Sequence, residues 1–311
     1  MNRLTDVVSL STVDPVSVDL PPIDWTSIGA RAPTTIAIPS RVPSDPLPKA
    51  DIVVITWTNA EWSALDHVFI NSDTSRNNGT GTWSHAWLEY AHNTGEFSSD
   101  DRTDPLWGTF RMTEIVGASQ TWRVIVYRSN SHLQYQPYIA GLRAMVGQIL
   151  KDAQPTYLYS IGTAGGGTLD QMLGDAVVTN GGTLDAGALP NSTDPANGQT
   201  FFSPGNWFPP GNLYGSAQKL MFPLARVATQ QDLDRLFSQY ASKNRVRGIS
   251  LKDLQNAPLQ PANLGAPTVH QAQGVPLNTS CNFGMAPGTG SKQFCAYEED
   301  DAVVGQAASG R

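Results

Sequence analysis

The chain has 311 residues, 40% of them hydrophobic and 15% charged, with a formal net charge of −7. That length accommodates one large α/β domain or two small ones, and the acidic balance argues against a nucleic-acid-binding surface, which needs a basic patch. Two cysteines, Cys281 and Cys295, give neither a disulfide framework nor a metal-ligand cluster and fit a reduced, cytoplasmic protein. The opening residues do not read as a signal peptide, and no run of roughly 18 apolar residues predicts a membrane span.

Residues 1–49 are dense in proline (Pro15, Pro21, Pro22, Pro33, Pro39, Pro43, Pro46, Pro48). Proline fixes φ and removes ladder donors, so this stretch predicts an extended arm that wraps the domain or a partner. A single α/β domain is expected over 50–311. Asp51-Ile52-Val53-Val54-Ile55-Thr56 reads as a strand buried on both faces. Trp57-Thr58-Asn59 leads from it into a helix beginning Ala60-Glu61-Trp62, with Asn59 as the expected N-cap. A carboxylate at a helix start just beyond a strand's C-terminal end stands where open α/β sheets bind ligands, although first-turn dipole compensation also explains a Glu there.

Residues 72–105 are polar and rich in Gly, Asn and Asp, which predicts an insertion loop. Two strands, 109–116 and 122–127, follow with a hairpin turn over 117–120, then a helix from about Pro137 to Ala153 with Ile139, Leu142, Val146 and Ile149 on one face. The order β–α–β–β–α–β predicts a mixed, mostly parallel central sheet with helices on both faces. From about 186 to 267 the chain is irregular, with one helix expected near Thr229 to Lys243; an excursion of that length suggests a lid, an interface or a specificity element. Strands near 268–270 and 279–283 return to the core, and Phe294 to Ala308 reads as a strand running into a helix.

Tyr157 to Asp175, Y-L-Y-S-I-G-T-A-G-G-G-T-L-D-Q-M-L-G-D, organises the rest. An aromatic-rich strand breaks into a turn of Gly162, Thr163, Ala164 and Gly165 to Gly167, whose bare backbone permits close approach of another molecule. On composition alone such a turn is ordinary punctuation between strands. It is not a phosphate loop, because no Lys-Ser or Lys-Thr pair follows the glycines.

Three segments together, the strand-to-Glu61 element, the I-G-T-A-G-G run with Gly174-Asp175, and the acidic Y-E-E-D-D-A-V-V-G-Q-A helix start, resemble the nucleoside phosphorylase/nucleosidase superfamily. Within it the chain is most similar to methylthioadenosine/S-adenosylhomocysteine nucleosidases, over roughly 50–185 and 268–308. The resemblance implies cleavage of the N-glycosidic bond of a purine nucleoside or nucleotide with release of the free base, using no metal and no organic cofactor. It implies Glu61 as the water-activating base, with Thr163, Ala164, Gly165 and Gly166 lying beside sugar and base. Aligned on Gln306, the family's Glu-Met-Glu falls on Glu298, Glu299 and Asp300, making Asp300 the ligand of the ribose hydroxyls; a one-residue slip would give that role to Glu299. Phe283 is a candidate to stack on the purine, or a core residue.

The turn after the first strand has no Gly-Asp-Pro loop and no Arg, which favours water over phosphate as nucleophile. A phosphorylase and a catalytically inactive nucleoside-binding module of a larger assembly remain alternatives. Arg128, Arg143 and His132 are unplaced candidates for a phosphate or 5′ substituent. The family continues past the acidic helix into a strand bearing a Ser-Asp pair, whose Asp protonates the purine. A C-terminal fragment or second polypeptide is therefore expected to complete the fold here. Family members are commonly homo-oligomers, so a homo-oligomer is expected as well.

Overall fold

A computed structural model describes residues 22–70, 87–91, 106–117, 119–133, 139–167, 171–172, 174–185, 194–203, 207–223, 229, 266–279, 294–298 and 300–309. The elements in chain order are β1 (Thr34–Thr35), β2 (Ile52–Thr56), α1 (Asn59–Phe69), β3 (Leu88–Ala91), β4 (Leu106–Val116), β5 (Thr121–Ser129), α2 (Ile139–Ala153) and β6 (Tyr157–Ser160). They continue with β7 (Gly165–Gly166), β8 (Ala176–Thr179), β9 (Gly181–Leu184), β10 (Thr200–Phe202), α3 (Gly211–Leu220), β11 (Val269–Ala272), β12 (Leu277–Thr279), β13 (Ala296–Glu298) and α4 (Asp301–Ser309).

β2 forms because Ile52 to Thr56 are β-branched, with Val53 to Thr56 buried, and it pairs in parallel with β5 on one side and β6 on the other. The sheet runs β1-β4-β5-β2-β6, with β3 on β4; the hairpin β4/β5 is antiparallel, as its turn requires. Successive residues of β2 and β5 point to opposite faces, and the packing divides accordingly. Val54, Val124 and Val126 meet Trp62 and Leu65 of α1 on one face. Val53, Ile55, Ile125 and Tyr127 meet Leu142, Met145, Val146 and Ile149 of α2, with Val303 and Val304 of α4, on the other. The expected α/β class with helices on both faces is therefore the architecture found.

The strands do not all join one sheet. A second runs β10-β9-β12-β13-β7, and β11 pairs in parallel with β8 as a third unit. Parallel and antiparallel pairings occur in both larger sheets. The aromatic strand β6 pairs only with β2 among the described residues and lies at an edge of its path, not at the centre. Its tyrosines are half-buried against Trp122 and Trp207.

The proline-rich segment from 34 onward is extended along the first sheet. Thr34 and Thr35 pair with Glu114 and Thr113, and Leu47 is buried in the main core. Asp152 of α2 anchors this segment. Its carboxylate accepts Leu47 N–H at 3.0 Å, Tyr90 O–H at 2.8 Å and Gln148 Nε2 at 2.7 Å. Tyr90 lies on β3, within the stretch read as an insertion loop; its buried ring packs edge-on to Trp107 and Tyr127 and recruits that strand to β4. The helix expected near 229–243 lies outside the described residues apart from Thr229. Within the irregular stretch, β10 and α3 do form, α3 starting after Pro209-Pro210. Among the described residues no helix is long and apolar enough to cross a membrane.

Candidate active site

The site begins where β2 ends. Thr58, not Asn59, caps α1: it is extended (φ −112°, ψ 164°), its side chain accepts Glu61 N–H, and Glu61 reaches back to Thr58 N–H at 2.8 Å. This is a capping box, and the pattern Thr58-x-x-Glu61 in the sequence is its signature. The box fixes Glu61 in the first turn with only 8% of it exposed.

There Glu61 Oε2 also accepts Thr56 Oγ1 at 3.0 Å and Trp57 N–H at 2.9 Å, while Oε1 accepts Thr163 N–H at 2.7 Å and Thr163 Oγ1 at 2.9 Å. Burial pushes the carboxyl pKa up, but the hydrogen bonds from Thr163, Trp57 and Thr58 outweigh it and hold Glu61 below its ordinary value. The result is a fixed carboxylate, ionised at neutral pH, bridging the end of β2 to the turn after β6.

That turn lies above it. Residues 161–166 are exposed while the carboxylate beneath is buried. Gly162 leaves open the space beside the carboxylate: a Cβ there would sit 3.6 Å from Glu61 Oε1 and 3.5 Å from Trp57 Cδ1. Gly165 and Gly166 pair with Tyr297 and Ala296 of β13. A Cβ on Gly167 would collide with the Phe294 carbonyl and the Cys295 backbone, so glycine is needed where the turn crosses β13. β13 in turn feeds α4, and this crossing brings the acidic helix start to the turn.

The acidic residues divide. Glu298 is 5% exposed; it accepts Thr279 Oγ1 and the backbone N–H groups of Asp300 and Asp301, capping the start of α4. Burial, and then the Asp301 charge, push its carboxyl well up. Asp300, 2% exposed, turns away, accepting Leu133 N–H at 2.8 Å and facing His132 Nε2 at 3.2 Å. Asp301 faces the Glu61 side: its Oδ1 accepts Ser160 Oγ and Trp57 Nε1, the latter at 3.3 Å. Its carboxyl is pushed up to about 6 by burial, opposed by Ser160 and Trp57 and reinforced by the Glu61 charge.

Thus Glu61 and Thr163 are brought together, Gly165 and Gly166 are joined to β13, and Asp300 is joined to His132. Phe283 and Glu299 lie outside the described residues. Arg143 is engaged by Gln306 and Asp194, and Arg128 lies over the Trp62 ring at 5.0 Å and contacts Asn130. Trp57, Ser160 and Asp301 were not anticipated as site residues. The local signal for Trp57 and Ser160 was their position at the ends of adjacent strands.

No family model matches the chain, and no curated protein matches it. Among solved structures it is similar to a futalosine hydrolase mutant of Helicobacter pylori, with 10% identity, 85% of this chain and 84% of that one covered, and a TM-score of 0.41. It is similar to the 5′-methylthioadenosine/S-adenosylhomocysteine nucleosidase of Neisseria meningitidis in complex with methylthio-immucillin-A, with 12% identity, 83% and 79% covered, and a TM-score of 0.40. The S-adenosylhomocysteine nucleosidase of Streptococcus pyogenes in complex with 5-methylthiotubericidin gives 11% identity, 85% and 79% covered, and a TM-score of 0.40. These likenesses carry no role over to the chain. The roles considered below rest on its own contacts.

Proposed function

We propose that the chain hydrolyses the N-glycosidic bond of a purine nucleoside or nucleotide and releases the free base. The observation that carries this reading is the Glu61 carboxylate, held ionised by five donors directly beneath an exposed glycine turn. Departure of the base leaves positive charge on the sugar carbon. A fixed anion in a partly dehydrated site stabilises that charge without reorganising at the moment of reaction. The open backbone of Gly162 to Gly166 gives a flat sugar and base a surface to lie on.

In this reading Glu61 is the fixed anion beside the sugar carbon, Thr163 holds Glu61, and Ala164, Gly165 and Gly166 flank the substrate. Glu298 shapes the start of α4, and Asp300 is retained as the candidate ligand of the ribose hydroxyls. Phe283 and Glu299 are retained as candidate substrate contacts. A cytoplasmic setting, homo-oligomeric assembly and a domain spanning 50–311 behind the extended arm belong to the same proposal.

The test is incubation with a panel of purine nucleosides and nucleotides, with and without phosphate, following free base against ribose and ribose 1-phosphate. Base release without phosphate is expected. Release that strictly requires phosphate would replace hydrolysis by phosphorolysis; binding without release would make the chain a nucleoside-binding module.

A further inference from the structure

Resting on that reaction, the structure separates two jobs that one carboxylate was expected to do. Glu61 has five donors on its two oxygens, so a water can give it a proton only by displacing one of them. The carboxylate next to it is placed differently. Asp301 Oδ1 takes Ser160 Oγ and Trp57 Nε1, while Asp301 Oδ2 accepts nothing among the described residues. Trp57 ties the two groups rigidly, its backbone N–H donating to Glu61 and its indole N–H to Asp301 and Ser160 Oγ.

We propose that Asp301, through Oδ2, is the catalytic residue that accepts the proton of the attacking water, and that Glu61 acts as the fixed charge. The water's oxygen bonds to C1′ as the C1′–N bond breaks, its electron pair passing to the base. One water proton passes to Asp301 Oδ2 and then to solvent, and the departing base takes up a proton from solvent, so water is the only co-substrate.

The charges facing Asp301 are Glu61 from α1, Glu298 from β13 and Asp300 beside it, the last paired with His132. Burial, reinforced by the Glu61 charge, disfavours the Asp301 anion and raises its proton affinity towards neutrality, as an acceptor working near pH 7 requires.

The experiment is the pH dependence of kcat/KM for base release by the full chain and its variants. Wild type is expected to lose activity as pH falls through the raised Asp301 value. Asp301→Asn is expected to fall about 100-fold in rate and to lose that acid limb. Asp301→Glu is expected to recover part of the rate with the limb restored, and Glu61→Gln to lose rate while keeping a limb that moves to lower pH, because the Glu61 charge that raises the Asp301 value is gone. Ser160→Ala, a milder change, removes a donor that lowers the Asp301 value and should shift the limb to higher pH. Should Asp301→Asn not fold, the Ser160→Ala shift decides. An unchanged limb in either variant overturns the assignment while the reaction stands, whereas wild-type protein that releases no base removes the reaction and this assignment together.

Discussion

Glu61→Gln probes the fixed carboxylate most sharply, because the substitution keeps the shape and removes the charge. A glutamine offers one acceptor oxygen and one NH2 donor group. Oriented with its oxygen toward Thr56, Trp57 and Thr58, it keeps three of the five hydrogen bonds and turns its NH2 group toward Thr163. The Thr163 hydroxyl can rotate to accept, but Thr163 N–H cannot, and it is left facing a donor. Losing one hydrogen bond to a charged acceptor at a buried position costs about 1.5–3 kcal/mol, which for a chain of this size corresponds to a fall in Tm of roughly 5 °C.

Thermal unfolding at pH 7 should therefore show a cooperative transition a few degrees below wild type, with base release reduced about 100-fold or more. Repeating the melts at low pH adds the sign. The pKa of Glu61 is depressed on folding, so its contribution is present above the unfolded carboxyl value and is lost as pH falls through the folded value. The gap between wild type and variant should close in acid. An unchanged Tm at pH 7 together with near-wild-type turnover would refute the claim that five donors hold an ionised group at the centre of the site.

Other expected outcomes concern the scaffold. Tyr90→Phe removes a hydroxyl donor from buried Asp152, and the denaturant midpoint should reveal a loss of about 1–2 kcal/mol with turnover unaffected. Gly167→Ala forces a Cβ into the Phe294–Cys295 backbone; chemical denaturation should show a loss of about 1–3 kcal/mol, and turnover should fall because β13 carries α4. For Asp301, whose value is raised on folding, the sign is opposite to that of Glu61. Its contribution is full below the unfolded value near 3.8 and is lost as pH rises through about 6. Asp301→Asn should therefore gain stability relative to wild type between pH 4 and pH 7, measured by urea midpoints.

Much of the first sheet was legible in the sequence because its signals are local. The β-branched run at Ile52 to Thr56 has no other comfortable place than a strand covered on both faces, and Leu142, Val146 and Ile149 repeat at helical spacing. Elements stabilised from a distance were not legible. β3 forms because Tyr90 reaches Asp152, sixty-two residues away, and no property of 88–91 shows that partner. The aromatic strand β6 lies at an edge of its sheet, where its rings lean on Trp122 and Trp207, neither of which is adjacent in sequence.

In the site, Glu61 and Thr163 were readable as residue types at strand ends. The cap moved by one position because the reciprocal bond from Glu61 selects Thr58 over Asn59. The acidic run shows the limit most clearly. Glu298, Asp300 and Asp301 are chemically alike in sequence, and only the register of α4 turns one into the cap, one toward His132 and one toward Glu61.

The central claim is attack of water on the sugar carbon. Its most direct test is turnover of a purine nucleoside in heavy-oxygen water without phosphate, with the released sugar trapped at once by borohydride and analysed by mass spectrometry. The account predicts one heavy oxygen at the first carbon of the trapped sugar and an unlabelled free base. Label in the base, a sugar phosphate, or no cleavage would contradict it.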